Sequence, residues 1–171
     1  MIIERTASNR MAKRDQRGFY GDLQDAGVRP SVETRIRHTT IEEGPLLELL
    51  RVEAGTEVVE RVRQMSGDGR ILQTAVTRFP PDIVSAIPQL AEQNTGSGGM
   101  YARMEEVGHT LSQQDRVSAM VPDSNQQETF GIDASIALVV IDRVTRGNDN
   151  KVLEITSITA PSDRQVFVYD V

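Results

Sequence analysis

Residues 55–80, GTEVVERVRQMSGDGRILQTAVTRFP, constrain the fold of this chain more than any other stretch. Two alternating runs flank Ser66-Gly67-Asp68-Gly69. Alternation over this length predicts half-buried strands, and the glycine-rich break predicts that they fold back as a hairpin. Side chains on a strand alternate faces. Val59, Arg61, Arg63 and Met65 therefore share one face, and Val58, Glu60, Val62 and Gln64 share the other. Arginines at i and i+2 beside apolar neighbours have two readings. On the solvated face of an antiparallel sheet they sit in water. On a concave face they hold a carboxylate or phosphate through paired N–H donors.

The rest of the chain supplies partners for this hairpin. Residues 1–17 have no clear period and read as a lead-in, partly extended. Residues 19–26 space Phe19, Leu23 and Ala26 as a helix does, and Gly27 suits its left-handed C-cap. Ser31 to Thr40 alternates as a strand. Pro45 opens a short helix over 45–51. Pro80-Pro81 stops the second hairpin strand, and 82–90 allows a short helix interrupted by proline. The loop 91–99 leads into a helix over 100–107 that stops at Gly108. Residues 110–121 predict another strand, and Asp123-Ser124 caps a helix that runs to Phe130. Residues 135–146 and 151–160 form a second hairpin around Gly147-Asn148-Asp149-Asn150. A last strand spans 166–169. The expected fold class is α+β: an antiparallel sheet of about six strands with flanking short helices.

Composition narrows the function. With 171 residues the chain is long enough for one domain with a real core. Without Cys there is no disulfide scaffold and no thiolate metal site. His38 and His109 are the only histidines, so no metal and no cofactor are expected. A net charge of −6 argues against direct grip on nucleic acid. Local basicity is confined to the lead-in, at Arg5, Arg10, Lys13, Arg14 and Arg17. It reads as a linker from a DNA-contacting segment or as a solvated tail. No apolar run approaches the ~18 residues of a membrane span, and no secretory signal follows the basic start. A cytoplasmic location is expected.

Catalytic constellations are hard to build from these residues, whereas a binding site is easier. Gly96 to Gly99 precede a helix, and a helix N-terminus offers free N–H groups and the positive end of the dipole to an anion. The alternative is a flexible connector. Tyr101 falls in the first turn, where its phenol can reach a site. Glu154 shares a strand face with Thr156, Ile158 and Ala160. It is either an acceptor for sugar or amine groups or a solvated carboxylate.

The order of these pieces resembles the UTRA effector-binding domain found at the C-terminal end of GntR-type transcriptional regulators of the HutC branch. The resemblance runs from about Gly18 to Val171. It rests on Gly18-Phe19 and Gly27, Arg61-Val62-Arg63, Phe79-Pro80, Gly99-Met100-Tyr101, Glu105-Glu106-Val107-Gly108, Gln126 to Ile132, Lys151-Val152-Leu153-Glu154 and Asp163-Arg164. It implies a chorismate-lyase-like fold, a homodimer and a pocket for a small-molecule effector. By motif it carries ligand binding to Arg61, Arg63, Gly99, Tyr101, Glu154 and Gly18. It also implies that residues 1–17 are an interdomain linker and 18–171 the effector domain. DNA would then be contacted only through a winged helix-turn-helix that this chain does not contain.

The sequence departs from that family at four of these places. Gly18 and Gly99 stand where sugar-phosphate sensors tend to carry hydroxyl residues. Ala160 and Gln165 stand where tyrosines are common. Each lost hydroxyl removes a hydrogen bond worth about 0.5–1.5 kcal/mol. A phosphosugar, a different anion and a larger, more apolar ligand all remain open. Two other functions compete with the sensor. One is a chorismate-lyase-like enzyme acting on an aromatic carboxylate. The other is a dimerisation module that binds no ligand.

Overall fold

The computed structural model describes residues 2–6 and 18–169. In chain order they form β1 (Ile3–Thr6), α1 (Gly18–Asp25), β2 (Pro30–Ile41), α2 (Pro45–Leu50), β3 (Thr56–Gly67), β4 (Arg70–Phe79) and α3 (Pro81–Ala86). A 3-10 turn (Pro88–Ala91), α4 (Gly99–Glu106), β5 (Ser112–Met120), α5 (Ser124–Phe130) and β6 (Leu138–Arg146) follow. A second 3-10 turn (Asn148–Asn150), β7 (Val152–Pro161) and β8 (Gln165–Val168) complete them.

The expected central hairpin is β3 and β4, paired antiparallel with Arg61 opposite Thr77 and Arg63 opposite Ala75. Asp68 and Gly69 both take positive φ, at 48° and 81°. Two such residues in succession make the turn that matches the twist of paired strands. Gly67 has a different reason to lack a side chain. A Cβ there would lie 2.6 Å from Val28 Cγ1 and 2.8 Å from Leu72 Cδ1. Its absence lets the start of β2 and the end of α1 close onto the hairpin.

Six strands form one antiparallel sheet in the order β2-β3-β4-β7-β6-β5. This is the expected α+β sheet with short flanking helices. One boundary differs from the expected 135–146 strand. β6 starts at Leu138 because a turn, with Ile136 N–H donating to Asp133 O, precedes it.

A further two-stranded ribbon was not foreseen. β1 pairs in parallel with β8, Ile3 opposite Gln165 and Arg5 opposite Phe167. Ile3 and Arg5 are buried. At least residues 3–6 of the expected lead-in are thus tied to the domain. Residues 7–17 lie outside the described residues.

The sheet has two unlike faces. On one, Val59, Phe79 and Leu153 pack with Ile83, Ile87, Leu90, Met100 and Met104 of the covering helices. Further along that face Met65, Ala75, Ile141 and Ile158 meet Phe19 and Leu23 of α1. On the other face Val58, Val144 and Ile155 pack with Leu50 of α2. The α5 helix begins with a capping box, Asp123 accepting from Gln126 N–H and Gln126 accepting from Asp123 N–H.

Candidate functional site

Between the sheet and helices α1 and α4 lies a cavity of about 600 Å³. Register fixes its floor, because residues opposite one another across antiparallel strands point to the same side. One cross-strand row runs Ile36, Arg61, Thr77, Thr156 and Arg143. The next runs Thr34, Arg63, Ala75, Ile158 and Ile141. A third holds Val32, Met65 and Gln73. The hairpin face with both arginines is therefore the covered face.

The two arginines have different partners. Arg61 is 4% exposed. Its Nη1 donates to Leu90 O at 3.2 Å and to Glu92 O, and its Nη2 donates to Gln93 O at 3.2 Å. Arg63 is half-buried, and its Nη2 makes one long contact, 3.4 Å to Thr77 Oγ1. The Nε atoms of both are buried and meet no acceptor among the described residues. Burial, and then the adjacent charge of Arg63, pull Arg61 down to about 10. Burial also lowers Arg63, while Tyr101 and Glu154 favour its charged form.

The glycine-rich segment is held at several points. Arg61 ties Leu90, Glu92 and Gln93. Asn94 Oδ1 accepts from Gly96 N–H at 2.9 Å, and Gly96 O accepts from Gly99 N–H at 3.1 Å. Arg103 Nη2 donates to Ser97 O at 3.0 Å and pairs with Glu106. Gly96, Gly98 and Gly99 all have positive φ. A serine at 99 would strain that left-handed backbone, so the missing hydroxyl follows from the loop's path. No side chain caps α4. The Gly99 N–H is spent within the turn, and the next N–H groups of the first turn have no intrahelical acceptor.

Glu154 lies under the cavity. It is fully buried. Thr145 Oγ1 and Thr156 Oγ1 donate to its two oxygens, and Tyr101 OH lies 3.4 Å from Oε1. Thr156 Oγ1 is in turn 2.7 Å from Thr77 Oγ1. Burial raises the Glu154 carboxyl above its ordinary range, opposed by the two threonine hydrogen bonds and by Arg143 and Arg63. Burial and the Glu154 charge raise the Tyr101 phenol. Burial alone would lower Arg143, but its bidentate pair with Asp115, at 2.7 and 2.9 Å, carries it upward.

Of the residues expected from sequence, Arg61, Arg63, Gly99 and Tyr101 line the cavity together. Glu154 sits behind Tyr101 and Thr156. Gly18 opens α1, whose next two residues, Phe19 and Tyr20, line the wall. Sequence reasoning missed Arg143 and Arg5. Arg143 was detectable as the charged residue of strand LVVIDRVTR in phase with Ile141 and Thr145, whereas Asp142 and Arg146 fall on the opposite phase. Arg5 was not detectable. It reaches the cavity wall from β1, pairs with Asp22 and donates to Gln73 and Gln165. Among the described residues no cluster of His, Cys, Asp and Glu suits a metal ion. No described helix is long and apolar enough to cross a membrane.

Solved structures share this fold. PhnF from Mycobacterium smegmatis superposes with a TM-score of 0.79 at 17% identity, covering 99% of this chain and 72% of that one. The effector domain of PhnF from the same organism gives 0.73 at 20% identity, covering 88% of this chain and 91% of that one. The C-terminal domain of the histidine utilization repressor from Pseudomonas syringae pv. tomato str. DC3000 gives 0.69 at 14% identity, covering 84% and 99%. No curated protein sequence matches the chain. The family model for the UTRA domain matches residues 25–165, which hold the six-stranded sheet and α4 but only the last residue of α1. The match and the antiparallel sheet agree, and the chain belongs to the UTRA domain family.

Proposed function

We propose that this chain is the ligand-sensing domain of a GntR-type transcriptional regulator and that its cavity takes a small anionic effector. One observation carries the reading: Arg63 faces a cavity of about 600 Å³ with its buried Nε unpaired, at the uncapped start of α4. Uncompensated donors around a covered cavity suit an anion. The family match supports a sensor over an enzyme. Glu154, the one fully buried carboxylate beside the cavity, is engaged by two threonines and does not face an open space. DNA contact belongs to an attached winged helix-turn-helix, and the setting is cytoplasmic. A homodimer joins two such domains, so that effector binding biases the arrangement of the DNA-binding heads.

The test is thermal unfolding of the 171-residue chain with carboxylates, phosphates and sulfonates. A ligand that binds only the folded state stabilises it by about 2.7 kcal/mol at a hundredfold excess over Kd. The expected shift is present in the native protein and lost in Arg63→Gln. Failure of every anion to shift the midpoint rejects the reading. Turnover of chorismate would favour the lyase.

A further inference from the structure

We infer that the effector is an amphiphilic anion, an acidic head joined to an apolar aliphatic or aromatic body, and not a polyhydroxylated sugar phosphate. The inference rests on the reading of the cavity as an effector pocket. It comes from how the floor changes along the strands.

Successive rows on one face are two residues apart, so three rows span about 13 Å of floor. The first row presents Arg61, Thr77, Thr156 and Arg143, under the start of α4 and Tyr101. Arg63 stands at the step to the second row, where Thr34 and Ile158 line the cavity and Ile141 is buried beside Ile158. In the third row Met65 and Val32 continue the floor, with Phe19 packed against them from α1. Phe19, Val32, Met65 and Ile158 all border the cavity. The head therefore belongs at the Arg61/Arg63 end and an apolar body at the other.

Apart from Thr34 in the second row, the polar groups near the apolar end are already engaged. Gln73 directs its Oε1 to Arg5 and its Nε2 to Met65 Sδ at 2.9 Å. The charge of Arg5 is met by Asp22, and its guanidinium lies 5.3 Å from the centre of the Phe19 ring. Thr156 is engaged by Glu154 and Thr77. A sugar placed there would bury hydroxyls against Ile158, Met65 and Phe19 with few partners, which is costly. A methylene chain would instead gain by burial. At the start of α4, Gly99 brings no side-chain donor and its own N–H is spent on Gly96 O.

The experiment is calorimetric titration with methane-, butane-, hexane- and octanesulfonate, all fully ionised, alongside inorganic phosphate and glucose 6-phosphate. Affinity is expected to rise about fourfold per methylene, ~0.8 kcal/mol, until the apolar section is full. Glucose 6-phosphate should bind no tighter than phosphate. Arg63→Gln should weaken every sulfonate by a similar factor. Val32→Thr, nearly the same size, should flatten the chain-length dependence, weakening octanesulfonate more than methanesulfonate. Anion binding that ignores chain length, or that favours glucose 6-phosphate, overturns this inference and leaves the anion sensor standing. Alkyl binding indifferent to Arg63→Gln reports surface adsorption and overturns it too. No binding by any anion overturns both.

Discussion

Arg61 and Arg63 are two residues apart on one strand, yet their substitutions should separate. Arg61 donates to three carbonyls of residues 90–93. Arg61→Gln should therefore cost about 2–3 kcal/mol of stability, as lost charged hydrogen bonds do. It should also speed amide exchange across 92–99. Arg63 has one long hydrogen bond, so Arg63→Gln should change urea stability by less than about 1 kcal/mol while strongly weakening anion binding. Equal stability losses in the two variants would show that Arg63 is also structural. Glu154 adds a pH dependence. Its folded pKa is raised, so the stability tied to its protonation is present at acid pH and lost as pH rises through that value. The ionised carboxylate, near Arg63, Arg143 and Tyr101, also opposes an anion in the cavity. Sulfonate affinity should therefore rise by about fivefold as pH falls through the Glu154 pKa, a Coulomb effect of ~1 kcal/mol. Glu154→Gln should remove that dependence. A native affinity that follows the same pH profile as that of Glu154→Gln would exclude the coupling. Strand alternation alone placed both arginines on one face, but it does not say which face is covered or where each guanidinium ends. Those depend on a loop about thirty residues away.

At the scale of elements, the hairpin and α1 meet at a point with no spare room. Gly67→Ala places a methyl within 3.0 Å of Val28, Leu72 and Leu23, all buried. The expected loss is about 1–3 kcal/mol, read from urea unfolding. Because Leu23 lies on α1 with Phe19, the substitution should also weaken octanesulfonate more than methanesulfonate. Unchanged stability would mean that α1 is loosely seated. The hairpin, the capped α5 and the β6–β7 pair were legible because period, turn residues and caps are local signals. The held loop at 91–99 was not. Its glycines predict freedom, whereas its order comes from the side chains of Arg61 and Arg103, which neither period nor composition reveals.

At the scale of the whole molecule the least legible feature is the β1–β8 ribbon. The last strand was expected at 166–169 and is β8, but its partner β1, about 160 positions away, was not, and their pairing depends on Arg5, Gln165 and Gln73 meeting inside. The sheet edges were easier to anticipate as strands but not as edges. β2 is one edge and carries Glu33, Arg35 and Arg37, charges that blunt pairing. β5 is the other, and from Val117 to its end at Met120, and on to Val121 just beyond it, there is no charge. Val117, Met120 and Val121 are 54%, 42% and 73% exposed. An antiparallel strand edge can complement a copy of itself about a twofold axis, which makes β5 the candidate surface for the proposed homodimer. Val117→Lys and Ala119→Lys set like charges near one another across such a pairing. Each should raise the dimer dissociation constant at least about tenfold, ~1.4 kcal/mol, in sedimentation equilibrium. The lysine substitutions lie on the edge and should leave anion binding by the monomer intact. A native chain that stays monomeric at high concentration removes the homodimer. A dimer indifferent to both lysines moves the interface away from β5, to the half-buried outer face around Val62, Val76 and Val140.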